Sequence, residues 1–272
     1  MKKAIHVGNG LFYYIDLPQL VQAGFTGVMI AGEVVEKIKQ FEFGKAHGIE
    51  FFIVDIAWKP QWKQTVDAID ADYYYIDEPY AMGRHSEDEL KEIIDYIAVK
   101  RPNSKFIIGD IRVIQEKKYK PIPGLYYTYT SYVNTWLVPI WDKALPFGGP
   151  NQSPSIRRLH KKTGGKVPFI WVYGQNKILC HPDEYDKLFK TCEDLGIEFM
   201  CLYTGDGGGV DNKYKLNTVT KAELWDNINH FINNEKPYTL VEWWKRFFHR
   251  WAISFSYLFK TWNFKDFINT LF

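Results

Sequence analysis

Two adjacent carboxylates, Asp77 and Glu78, close the run Ala71-Asp72-Tyr73-Tyr74-Tyr75-Ile76 and are followed at once by Pro79. Carboxyl groups serve general acid–base chemistry, in which one is held protonated to donate while a second group attacks or activates water. Other polar residues stand at the ends of other apolar runs: His6, Glu33, Asp55, Asp110, Tyr129 and Tyr132, Gln175 and Asp206. Singly, each reads as an ordinary polar loop start. Crowded into one mouth, the carboxylates repel one another, which raises the pKa of at least one of them, as a general acid needs. Everything therefore depends on whether the chain brings these strand ends together.

Proline cannot donate to a sheet ladder and pushes the residue before it into an extended conformation, so Asp77 and Glu78 belong at the carboxyl end of a strand. Eight such apolar runs recur: 4–7, 25–31, 49–57, 71–77, 105–109, 124–131, 167–173 and 197–203. Helical patterns separate most of them. Ser86 with Glu89 reads as a capping box opening one helix, and Thr220 with Glu223 as another. Pro182 suits the first turn of a third. The junctions Gly24-Phe25, Gly48-Ile49 and Gly196-Ile197 each read as a helix-capping glycine followed by a strand. Eight strands alternating with helices is the count of a closed parallel (β/α)8 barrel of TIM type, whose active sites lie at the carboxyl ends of the strands. An open doubly wound sheet is the alternative, but Gly8-Asn9-Gly10 lacks the third glycine and the helix of a dinucleotide turn. Residues 1–235 are expected to form the barrel and 236–272 a separate tail.

The stretch Tyr73 to Pro79 resembles the fourth strand of barrel glycoside hydrolases, and Phe169-Ile170-Trp171-Val172-Tyr173 resembles their seventh. The resemblance covers residues 4–233 in architecture and only these short segments in motif. It implies a carbohydrate substrate, with Glu78 as general acid and Asp77 orienting it or the substrate. Asp110 or Asp206 is then the second carboxylate of an inverting scheme. Glu33, Asp55, Tyr129, Tyr132, Trp136, Trp141, Trp171, Tyr173 and Gln175 are the candidates for holding the sugar. Where the large retaining clan has a nucleophilic glutamate after its seventh strand, this chain has Gly174 and Gln175. The Asp77-Glu78 pair accordingly looks more like families in which the substrate's own N-acetyl group is the nucleophile. Gln175 in that position also fits a barrel that binds sugar without catalysis.

A metal-dependent isomerase-like or phosphodiesterase-like barrel, holding Mg, Mn or Zn, is a further alternative, with His6 as a ligand. No His-x-His or His-Glu-x-x-His spacing occurs, so no metal or other cofactor is expected. The 272 residues carry a formal net charge of +2, and no lysine and arginine stripe dominates the first part of the chain, so no nucleic-acid partner is expected. Cys180, Cys192 and Cys201 are too few and too oddly spaced for a disulfide framework and read as buried thiols in a reducing compartment. With no secretory signal and no apolar stretch of spanning length, the expected location is cytoplasmic or peripheral. In the tail, Trp244, Phe247, Phe248, Trp251, Phe255, Leu258, Phe259 and Trp262 recur at three- and four-residue steps beside Lys245, Arg246, His249, Arg250 and Lys260. That is the pattern of an amphipathic helix that attaches to a membrane surface or another protein chain, the second route leading to an oligomer.

Overall fold

The computed structural model describes residues 1–7, 17–56, 60–77, 79, 85–110, 113, 118–128, 153–173, 182–203, 228–229 and 231–233. Eight strands are present: β1 (Lys2–Val7), β2 (Gly27–Ile30), β3 (Phe51–Asp55), β4 (Tyr73–Asp77), β5 (Lys105–Gly109), β6 (Tyr126–Thr128), β7 (Phe169–Tyr173) and β8 (Phe199–Tyr203). Between them lie α1 (Leu17–Gln22), α2 (Val34–Ala46), α3 (Trp62–Ala68), α4 (Glu87–Lys100), α5 (Ser153–Lys162) and α6 (Pro182–Leu195). Every recorded pairing is parallel, in the spatial order β6-β5-β4-β3-β2-β1-β8-β7. The expected (β/α)8 barrel is the fold.

Local signals in the sequence account for the element ends. Ser86 accepts from the Glu89 amide at 3.3 Å, and the Ser86 amide donates to the Glu89 carboxylate at 2.8 Å, so both halves of the capping box form. Gly24, Gly48 and Gly196 take φ of 98°, 77° and 67°, the left-handed region that a helix-ending residue adopts most easily without a Cβ. The second capping box, at Thr220 and Glu223, lies outside the described residues, as does the tail.

Alternation along the strands sorts side chains into two cores. Ala4, Met29, Phe51, Ile53, Tyr73, Tyr75, Ile107, Phe169, Trp171, Phe199 and Cys201 fill the barrel interior. Ile5, Val28, Ile30, Phe52, Val54, Tyr74, Ile76, Phe106, Ile108 and Tyr127 face the helices. Both layers are apolar, which is why these strands read as continuous hydrophobic runs rather than as alternating ones. Cys192 and Cys201 are free and buried, as the sequence led us to expect.

At its amino end the interior is plugged. Phe51 stacks on Phe199 at 3.6 Å between ring centroids, and Tyr73 meets Phe51 edge-on at 4.4 Å. The Tyr73 hydroxyl donates to Glu198 at 2.8 Å, Lys105 donates to Tyr73 at 3.2 Å, and Lys2 pairs with Glu198 at 3.4 Å. The amino end of the interior is therefore closed by side chains.

The seam between β6 and β7 is closed differently from the rest. No ladder joins them among the described residues. Instead, the Thr128 hydroxyl donates to the Phe169 carbonyl at 2.7 Å, and the Tyr127 amide donates to the Lys166 carbonyl at 2.8 Å.

Candidate active site at the carboxyl mouth

The parity of β4 decides which of its terminal residues faces the mouth. Tyr73 and Tyr75 point into the barrel while Tyr74 and Ile76 point to the helices. Asp77 shares the parity of Tyr75, and the Tyr75 hydroxyl donates to the Asp77 carboxylate at 2.5 Å. Room for that contact comes from β5. Gly109, the register partner of Asp77, has no Cβ, and one placed there would lie 2.5 Å from the Tyr75 hydroxyl and 2.7 Å from its ring.

Tyr75 in turn packs against β7, its ring centroid 5.7 Å from that of Trp171 at an interplanar angle of 63°. Trp171 meets His6 of β1 edge-on at 5.9 Å. Four strand-borne side chains, His6, Trp171, Tyr75 and Asp77, thus form one connected group across the interior. Asp55, the last residue of β3 and the register partner of Tyr75, joins it through electrostatic contact with His6. Burial pushes the His6 imidazole down to about 4, with the Asp55 carboxylate pulling the other way. At neutral pH His6 is therefore uncharged and offers one donor and one acceptor.

Behind Asp55 stands a residue the sequence reading passed over. Lys37, 3% exposed, lies on the inner face of α2 and donates to the Asp55 backbone carbonyl. Burial lowers its pKa, opposed by the carboxylates of Asp55 and Glu33. It ties the end of β3 to α2, beside the carboxylates of Asp55 and Glu33. A charged residue on the buried side of an amphipathic helix was the available signal.

The remaining candidates divide plainly. Glu33 is the exposed N-cap residue of α2, and its side chain makes no capping hydrogen bond. Asp110, one residue beyond β5, is buried, and its backbone carbonyl accepts from the Val113 amide at 3.3 Å. Trp171 is 4% exposed and serves as floor rather than as an open platform. Tyr173 ends β7. Glu78, Tyr129, Tyr132, Trp136, Trp141, Gln175 and Asp206 lie outside the described residues. Among the described residues no group of three His, Cys, Asp or Glu is placed to hold a metal ion. Among them, too, no helix is long and apolar enough to cross a membrane.

A parallel barrel with polar side chains gathered at its carboxyl mouth defines the general class, and solved structures of that class resemble this chain. D-psicose 3-epimerase from Clostridium cellulolyticum H10, with D-tagatose, is similar at a TM-score of 0.54 and 10% identity, over 86% of this chain and 97% of that one. A sugar phosphate isomerase/epimerase from Parabacteroides distasonis ATCC 8503 is similar at 0.50 and 10% identity, over 85% and 96%. At such identities the likeness shows the fold alone. No protein-family model and no curated protein sequence matches the chain.

Proposed function

We propose that the chain is a carbohydrate-processing barrel of glycoside-hydrolase type in which Asp77, rather than Glu78, is the β4 carboxyl group that meets substrate. The observation that carries this is the Tyr75–Asp77 hydrogen bond on the inner face of the strand, against Trp171 and His6. Asp77, the last residue of β4, shares the inward parity of Tyr73 and Tyr75. Tyr75 fixes the rotamer of Asp77, and the aromatic floor suits the apolar face of a sugar ring.

Asp55 is the second inward carboxylate. It lies one strand over and two residues lower in register, a Cα diagonal of about 8 Å from standard strand spacings. That leaves room for a water between the two carboxyl groups, as an inverting scheme needs. With Gly174 and Gln175 where a nucleophile would stand, N-acetylhexosamine glycosides, which carry their own, are the other substrate class to offer. The D-tagatose held by the structurally similar D-psicose 3-epimerase supports a carbohydrate as the ligand class.

The test is turnover of a panel of aryl glycosides, N-acetylhexosaminides included, by wild type, Asp77→Asn and Glu78→Gln. Loss of general acid–base catalysis costs about 10²–10⁴-fold in rate. Asp77→Asn is expected to lose that much and Glu78→Gln to stay within about tenfold of wild type. The reverse ranking would return the role to Glu78. Sugar binding without turnover in any of the three proteins would instead establish a non-catalytic sugar-binding barrel.

A further inference from the structure

Charge is distributed unevenly around this nearly neutral molecule. The segments 118–128 and 153–173 contain no Asp or Glu, yet hold Lys118, Lys120, Arg157, Arg158, Lys161, Lys162 and Lys166. The fold brings the two together. The Lys162 ammonium sits 5.5 Å from the centroid of the Tyr119 ring, Tyr119 meets Tyr127 edge-on at 6.3 Å, and the Tyr127 amide binds the Lys166 carbonyl. Ile156, Leu159 and Thr163 form the buried side of α5 and the turn after it. Arg157 is paired with Asp194 of α6 at 3.0 Å. Lys118, Lys120, Arg158, Lys161 and Lys166 are exposed.

Structural needs account for only part of this. Cations in the last turn of a helix offset its dipole, which explains Lys161 and Lys162. Arg158 and the lysines at 118, 120 and 166 lie outside that turn. Arg158 with Lys162 is a like-charge pair at four-residue spacing, an arrangement that costs an isolated helix stability. A face that is single-signed at a cost to its own helix fits an external anion.

We infer that this basic face, made by α5, the turn after it and residues 118–120, docks on an anionic lipid surface. Four of the five exposed cations are lysines, compact point charges suited to a diffuse field of headgroup phosphates. Tyr119 packs on the buried Tyr127 and against the Lys162 ammonium, and so is committed away from the base-stacking that single-stranded nucleic acid would use. The aromatic and basic repeat of residues 241–262 supplies the kind of second signal that stable attachment of a peripheral protein takes.

Flotation of the full chain with vesicles tests this, using phosphatidylcholine alone and with about 30% phosphatidylglycerol. The test variant is Lys118→Gln/Lys161→Gln/Lys166→Gln. A control, Lys39→Gln/Lys45→Gln/Lys100→Gln, removes the same charge from α2 and α4. Each cation near an anionic surface is worth about fivefold in partitioning, so the test variant is expected to bind the anionic vesicles on the order of 100-fold more weakly. The control is expected to stay near wild type, and the wild type to release as salt rises toward about 0.5 M. Equal losses in both variants, no loss in the test variant, or no flotation of the wild type would each overturn the inference. So would tighter binding of single-stranded RNA than of vesicles, abolished by the same three substitutions.

Discussion

Gly109→Ala isolates the packing that aims Asp77. The substitution adds one methyl group at a position whose backbone is ordinary strand, so its effect is steric. The new Cβ would lie 2.5 Å from the Tyr75 hydroxyl, 2.7 Å from Cε2 and 3.0 Å from Cζ. Carbon contacts settle at about 3.5–4.0 Å, so the ring must move by roughly an ångström. It has little room, being 2% exposed and boxed by Phe169 at 5.9 Å and Trp171 at 5.7 Å. Overpacking of this kind costs about 1–3 kcal/mol. Disturbing the bond to Asp77 adds about 1 kcal/mol, at the low end because the half-buried carboxylate can turn to water. Replacing a strand glycine returns about 0.5–1 kcal/mol.

The net expectation is a loss of about 1–3 kcal/mol, or roughly 3–10 °C in Tm, measured by urea and thermal unfolding. Tyr75→Phe removes the 2.5 Å contact but leaves the two carbon contacts, so the double variant should recover part of the loss, with a coupling of about 0.5–1 kcal/mol. Near-UV circular dichroism should change in Gly109→Ala, because Tyr75 and Trp171 share a contact. A Gly109→Ala protein as stable as wild type, with zero coupling to Tyr75→Phe, would refute the close approach of β4 and β5 and the aim of Asp77 with it.

Two further outcomes follow from other parts of the molecule. His6 titrates near 6.5 when unfolded and about 4 when folded, so between those values the unfolded chain binds more protons and stability falls as pH falls, by about 3 kcal/mol in all. Urea midpoints taken from pH 7 to pH 4 should show that part of the decline missing in His6→Gln. Ser86→Ala should cost about 1 kcal/mol by uncapping α4, and a loss below about 0.3 kcal/mol would show the capping box to be idle.

The strand count and order were legible because parallel strands covered on both faces are short, continuous and apolar. That same property hid the site. In Tyr73-Tyr74-Tyr75-Ile76 every residue is apolar, so nothing in the run says which parity faces inward, and the inward aim of Asp77 became readable only with Tyr74 and Ile76 seen against the helices. Lys37 was missed because a charged residue is not expected on the buried side of a helix, which here is made of Lys37, Gln40, Phe41 and Gly44. The expected strands began two residues early at β2, β3, β4, β6, β7 and β8, where an apolar residue precedes the first ladder bond.

The seam at β6 and β7 bears on how this barrel avoids its own kind. Among the described residues no ladder joins β6 to β7, and an unpaired strand edge is a template for a strand from another molecule. Here the Phe169 carbonyl is already occupied by the Thr128 hydroxyl, and the Tyr127 amide by Lys166. An intruding strand would have to displace a side chain packed inside a barrel before it found its first partner. Two bonds that add little to a ladder of eight strands thus act as a latch against intermolecular pairing, and loosening Thr128 should show first as aggregation during refolding rather than as a lower melting point.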